Sequence, residues 1–284
     1  MNRLRLGFGT NGFGDHTLSD ALAVLGNLGY QGVAITLDRR HLDPYAEDLP
    51  QQLTKLRKRL AELGLAVVIE TGGRYLLDPW HKHQPTLLSD HGAELRLELL
   101  ISAVRIAADL NAEAVSFWSG AAPAGVSEEA CWERLVSGCH VILAEAEELG
   151  VTVGFEPEPG MFVDTLDRYD ELVTRLGHGN SLGLTLDIGH CRCLESEPVA
   201  DCVRRAAPRL VNVQIEDMRR GEHEHLEFGD GEIDFRPVLE AINDVGYPGL
   251  VSVELPRHSH AAPDVARRSL RFLRQSLRDR ALQP

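Results

Sequence analysis

No run in this chain approaches the about 20 consecutive apolar residues of a membrane span, so no membrane helix is expected. The N-terminal stretch MNRLRLGFGTNGFGDH has neither an adequate hydrophobic region nor a small-residue cleavage site. It does not read as a signal peptide, and a cytoplasmic location is the expectation. Cysteine is scarce: Cys131, Cys139, Cys191, Cys193 and Cys202 are odd in number and irregular in spacing, which argues against a disulfide framework. Cys191-Arg-Cys193 is read as bland, because zinc sites prefer a C-x₂₋₄-C spacing. Positive charge is also short. There are 29 Lys and Arg against 43 Asp and Glu, a net charge of −14. A nucleic acid partner is therefore not expected, whereas a small sugar or phosphorylated molecule in a local pocket is compatible. No linker, low-complexity tract or charge run divides the 284 residues, so one domain over 1–284 is expected.

What the chain does contain is an alternation. Short apolar runs occur at Leu4 to Phe8, Gly32 to Leu37, Ala66 to Thr71, Ala114 to Trp118, Val151 to Glu156, Leu182 to Asp187, Leu210 to Gln214 and Leu250 to Glu254. Between them lie helical patterns at Leu18 to Leu28, Leu53 to Leu63, Leu95 to Leu110, Glu128 to Leu149, Thr165 to Leu176, Val199 to Ala206, Phe235 to Val245 and Pro263 to Leu277. Thr17 and Ser127 are placed to cap helix starts, and Gly64, Gly150 and Gly177 to end helices. Strand–helix alternation means parallel strands with crossover helices, and eight such units predict an α/β fold, a single (β/α)8 TIM barrel with its active site at the C-terminal strand ends. A doubly wound sheet is disfavoured because no G-x-G-x-x-G follows the first run. The segment Gly72 to Ser89 is too long for a tight turn and reads as a loop over the barrel mouth.

Four of the runs end in an oxygen ligand: Glu156 (with Glu158 beside it), Asp187 (with His190), Gln214 and Glu254. A buried strand has little reason to end in a charge, and four such ends at one mouth point to a bound divalent metal. Across that metal, Glu156 and Glu254 would take a proton from one face of a substrate carbon and return one to the other. The competing reading is that strand-end acids cap the next helix. His223-Glu-His225 puts two imidazoles on one side of an extended segment, suited to a metal or a sugar hydroxyl. Arg219 and Arg220 are candidates for orienting substrate oxygens. His81 and His83, with Trp80, are candidate lid residues, and His258 and His260 repeat the two-apart spacing. Phe8, Phe13, Trp80, Trp118 and Phe162 are candidates for an apolar pocket wall.

These strings resemble the xylose-isomerase-like barrel superfamily of sugar and sugar-phosphate isomerases and epimerases, which also contains the apurinic endonucleases. The likeness runs along nearly the whole chain and is strongest from Val151 to Leu255, including His225-Leu-Glu-Phe-Gly-Asp-Gly-Glu-Ile-Asp-Phe. It implies a metal site of Glu156, Asp187, Gln214 and Glu254, with Glu156 and Glu254 catalytic. His190, His223, Arg219, Arg220, Glu158 and Trp118 are then the substrate-contacting set. Gln214 departs from the family, which usually has a metal-binding histidine there. Either the amide oxygen serves, and an all-oxygen set favours manganese or magnesium over zinc, cobalt or iron, or His225 supplies a nitrogen. A third alternative is a degenerate barrel that has lost the metal. The implied activity is isomerisation or epimerisation of a sugar, keto-sugar or polyol. A lyase or dehydratase on the same scaffold is the alternative, and an endonuclease is less favoured because strands three and four offer Glu70-Thr71 and Phe117-Trp118 where histidines would be needed. Assembly into a homo-oligomer is compatible with the sequence.

Overall fold

Each apolar run forms a strand, and the strands close into a ring. The computed structural model describes residues 4–278; the two ends of the expected 1–284 span lie outside that range. The strands in chain order are β1 (Arg5–Gly9), β2 (Gly32–Thr36), β3 (Ala66–Glu70), β4 (Val115–Phe117), β5 (Val153–Phe155), β6 (Gly183–Asp187), β7 (Leu210–Ile215), a hairpin of β8 (Asp217–Arg219) and β9 (Glu222–Leu226), and β10 (Leu250–Val253). The parallel barrel order is β1-β10-β7-β6-β5-β4-β3-β2, as the eight-unit reading predicts. Helices α1 (Leu18–Leu28), α2 (Leu49–Leu63), α3 (Ala93–Leu110), α4 (Glu128–Leu149), α5 (Leu166–Leu176), α6 (Ile188–Leu194), α7 (Val199–Ala206), α8 (Phe235–Asp244) and α9 (Ala262–Arg278) connect and surround it. None of the described helices is long and apolar enough to cross a membrane.

The helix boundaries follow local chemistry. Thr17, Ser127 and Thr165 each accept a backbone N–H from three residues on, and Gly29, Gly64 and Gly150 end their helices in the left-handed conformation. Helix α2 begins earlier than the periodicity suggests, because Pro50 sits in its first turn, where a missing N–H costs nothing. Two elements are absent from the sequence reading. The seven-residue α6 starts directly on Asp187, whose carboxylate accepts the His190 N–H at 2.8 Å. The hairpin β8–β9 is short and polar and so lacks a hydrophobic period.

Because side chains alternate along a strand, each strand sends one set outward to the helices and the other into the barrel. The outward set builds the main core, with Phe8, Ile35, Ile69, Phe117 and Phe155 all fully buried. The inward set is layered. Ala34, Val68, Ala114 and Leu250 make a small separate apolar cluster. Two residues further along the same strands lie Thr36, Glu70, Ser116 and Ser252, all buried. There Asn212 of β7 donates a 3.1 Å hydrogen bond to Glu70 of β3, a strand on the opposite side of the ring. Glu156 and Glu254 continue this inward register one residue beyond β5 and β10. Their backbone N–H groups still extend the ladder to Phe117 O (2.8 Å) and Ile215 O (3.3 Å).

The loop from the hairpin to α8 is held by one side chain. Asp217 accepts backbone N–H bonds from Met218 (3.0 Å), Gly229 (2.8 Å) and Ile233 (3.1 Å). This explains the Gly-Asp-Gly string: a Cβ on Gly231 would stand 2.2 Å from Asp217 Oδ1. Gly231→Ala is expected to lower stability to urea by about 3 kcal/mol. An unchanged unfolding midpoint would show that this carboxylate does not hold the loop.

Candidate active site

The strand ends open into a cavity of about 560 Å³ at the C-terminal mouth, within the size range of small-molecule sites. Its floor carries the strand-end residues on four neighbouring staves: Glu156 after β5, Asp187 on β6, Gln214 on β7 and Glu254 after β10. Glu254 is held from both sides. Its Oε1 accepts from Asn11 Nδ2 and its Oε2 from Gln214 Nε2, each at 2.8 Å. Glu156 has a weaker partner, Ser116 Oγ at 3.4 Å, and its other oxygen lies 3.5 Å from His190 Nδ1. Asp187 is buried beneath the lining, but its carboxylate stays within 4.8 Å of ligand atoms of both Glu156 and His190.

Histidines close one side. His190 Nε2 meets His223 Nε2 at 3.1 Å, and His190 Nδ1 lies 3.2 Å from the Pro157 carbonyl. His223 and His225 come from β9, two apart, and both line the cavity, so the alternation reading places them where expected. His190, His223 and His225 can bring nitrogens within 4.8 Å of one another, as can Asp187, Glu216 and His225. Trp118 forms a wall, packed edge-on to His83 at 5.1 Å with the Arg96 guanidinium 5.0 Å above its ring.

Several candidates lie elsewhere. Arg219 bonds the Asp230 carbonyl at 2.6 Å and Arg220 the Glu195 carbonyl, and neither lines the cavity. Phe8, Phe13 and Phe162 are core residues, while Trp80 is 84% exposed and outside the lining. His81 pairs with Asp78, and His258 and His260 also lie outside the lining. Cys191 and Cys193 are free, buried and outside it as well. Of the lid candidates, only His83 reaches the cavity. Three residues were missed. Glu70 ends β3 as Glu156 follows β5, so the strand-end rule already contained it. Glu216 is fully buried beside Asp187, and Gly189 exists to admit it: a Cβ there would fall 2.0 Å from Glu216 Oε1. Gly189, between Asp187 and His190, thus serves close packing. Asn11 gave no signal in sequence.

Burial dominates the electrostatics of this cluster. Burial, then repulsion from Glu254, pushes Glu70 up to about 8. Burial and the Glu254 charge raise Glu158 to about 7, with His225 and Lys82 opposing. Burial and neighbouring acids raise Glu156 and Glu216 far above the carboxylate range, and burial raises Glu254. Burial would raise Asp187 too, but His190 holds it low. His223 is pushed down to about 4 by burial and by its two imidazole neighbours. Meanwhile Asp187 Oδ2, Gln214 Oε1, both Glu216 oxygens and His225 Nδ1 are buried without hydrogen-bond partners. Acceptors left orphaned around a cluster of mutually repelling acids fit a bound cation.

A barrel with a carboxylate-lined mouth defines a class, and the comparisons give the family. The chain belongs to the xylose isomerase-like TIM barrel family, whose model matches residues 22–276. It is 25% identical over 72% of its length to the uncharacterized protein MJ1311 of Methanocaldococcus jannaschii, covering 80% of that protein. It is 31% identical to an inosose dehydratase of Lacticaseibacillus casei over 43% of this chain, spanning 46% of that enzyme's length. Among solved structures it is similar to an L-ribulose 3-epimerase, with a TM-score of 0.77, 21% identity and coverage of 98% and 95% of the two chains. The IOLI protein with a bound zinc atom aligns with a TM-score of 0.74, 18% identity and coverage of 97% and 99%.

Glu70 yields a pH test. A carboxyl raised from 4.5 to about 8 by folding binds its proton more tightly in the folded state. Its stabilising contribution is present below about 4.5 and is lost as pH rises through about 8. Metal-free protein is therefore expected to lose stability across that window, and Glu70→Gln to flatten the loss. An identical pH profile for variant and parent would show that Glu70 carries no such charge cost.

Proposed function

We propose that this protein is a divalent-metal-dependent enzyme that moves a proton at a carbon next to a carbonyl, on a small sugar, keto-sugar or polyol-type substrate. The observation that carries this reading is the pair Glu156 and Glu254 flanking Asp187 and Gln214 on adjacent staves. Asp187, Gln214, Glu156 and Glu254 would hold the metal, with Glu216 and His225 close enough to complete the shell. When bound, the metal polarises the substrate carbonyl and makes the adjacent C–H more acidic.

The acid and base roles follow from the partners of each carboxylate. Glu254 accepts two amide hydrogen bonds, which favour its ionised form and fix its orientation, so it removes the proton. Glu156, with one long hydroxyl contact from Ser116, stands on the other side and returns a proton from there. His190 and His223, held neutral, offer nitrogens to substrate hydroxyls, and Glu158 lines the same wall. Trp118 supplies an apolar face for a sugar ring. Returning the proton to the same carbon gives epimerisation; returning it to the neighbouring carbonyl carbon, while the hydroxyl proton of the first carbon passes to the former carbonyl oxygen, gives isomerisation. Expelling a β-hydroxyl instead gives dehydration, and the inosose dehydratase likeness favours this as the second reading.

Two experiments test the proposal. In deuterium oxide, a panel of keto-sugars should lose an α-proton signal by NMR when the enzyme is added. Glu156→Gln should slow formation of the epimerised or isomerised product by about a hundredfold or more while the melting temperature holds or rises, since a buried acid crowded by like charges is removed. Normal turnover in that variant would sink the assignment, and loss of 18 mass units in the product, about one water, would select dehydration. Elemental mass spectrometry on protein purified without chelator should find one divalent metal per chain, with Gln214→Ala losing about tenfold or more in metal affinity. Metal-free protein that is not stabilised by manganese, magnesium or zinc would instead favour a barrel that binds without catalysing.

A further inference from the structure

Four cations line the cavity among the described residues: Arg40, Arg74, Lys82 and Arg257. Two are already engaged. Arg40 donates to the Gly14 carbonyl and lies 3.8 Å from Asp15, and Arg257 pairs with Glu224. The side chains of Arg74 and Lys82 have no hydrogen bond and no ion pair within 4.0 Å among the described residues. In a chain with a net charge of −14, two unpaired cations facing a cavity floored with acids call for an explanation.

They are also placed together. The His83 N–H donates to the Arg74 carbonyl at 2.6 Å, closing residues 74–83 into a loop with both cations near its neck. Buried Arg96 pins that neck through the carbonyls of His83 (2.9 Å), Pro85 (2.9 Å) and Thr71 (3.4 Å). His83 Nδ1 is a further unpartnered polar atom on this wall. Both charges act on the acids of the floor, Lys82 on Glu158 and Arg74 on Glu254.

We propose that the substrate carries an anionic group, a carboxylate or a phosphate, at the end remote from the reacting carbon, and that Arg74 and Lys82 receive it. The proposal rests on the reading of this cavity as the seat of sugar chemistry. The anion pairs with the two cations while its carbonyl end reaches the acids of the floor, so charge sets the direction in which the molecule enters. A loop pinned in advance adds little ordering cost on binding. The substrate class is then a sugar acid or a sugar phosphate, and the two cations discriminate against the neutral sugar of the same length.

The test uses three six-carbon chains without an aldehyde or ketone, so that binding is read apart from turnover: sorbitol, gluconate and sorbitol 6-phosphate. Calorimetric titration of the metal-loaded full chain is expected to give at least about tenfold tighter binding for one of the two anions than for sorbitol. The preferred anion distinguishes sugar acid from sugar phosphate. The double variant Arg74→Gln with Lys82→Gln should erase that preference, leave sorbitol binding within about twofold, and lose the salt dependence. Both residues are exposed on a loop, and an unchanged melting temperature in the variant checks its fold. Equal binding of all three chains, or an anion preference that survives in the double variant because the metal alone takes the anion, would overturn the proposal. The preference is also measured in Glu156→Gln: anion selectivity there, with no proton exchange in the parent enzyme, would leave the subsite standing while the proposed reaction fell.

Discussion

The crowding of Glu70, Glu156, Glu158, Asp187, Glu216 and Glu254 at one end of a closed barrel is the constraint to which the rest of the site answers. Two carboxylates 4 Å apart repel by about 1 kcal/mol in water and several times that where the effective dielectric is low. Such a cluster is neutralised by protons or by a cation. Burial and mutual repulsion raise most of these carboxyls, and the unpartnered oxygens of Asp187, Gln214 and Glu216 are where a cation would neutralise the cluster. The apolar shell between strands and helices supplies the stability that lets the barrel hold this cluster together.

The polar layer is kept in place by backbone devices rather than by packing alone. Asn11, in the turn after β1, and Gln214 of β7 grip Glu254 from two sides, so the carboxylate cannot rotate without losing a hydrogen bond from a side-chain amide. Asp217 gathers three N–H groups and thereby fixes the loop that follows the histidine-bearing hairpin. Arg96 does the same for the loop over the mouth, donating to three backbone carbonyls with its guanidinium over the Trp118 ring. Each device uses one buried polar side chain to satisfy several backbone groups, which makes a long loop behave as a rigid wall.

Much of this was legible in the residues. Short apolar runs and their regular spacing between helical patterns are local properties, and they sufficed for eight staves, their order and the helices between them. The strand-end rule located Glu156, Asp187, Gln214 and Glu254, because a charge at the end of an apolar strand is visible without knowing its neighbours. The same rule contained Glu70, which was passed over while histidines were sought at that position. Arg219 and Arg220 are candidates in sequence for orienting substrate oxygens, yet the hairpin turns them outward to Asp230 and Glu195 while His223 and His225 fold in.

By itself the sequence determined the barrel, the mouth at which the acids gather and the family to which the chain belongs, since hydrophobic period and strand-end charge are written residue by residue. Tertiary structure decided which polar groups meet. Asn11 reaching Glu254 across 243 positions, Asn212 reaching Glu70 across 142, and Glu216 filling the space left by Gly189 all depend on the register and curvature of a closed ring. Those are set by every strand at once, so no local window of the chain could contain them.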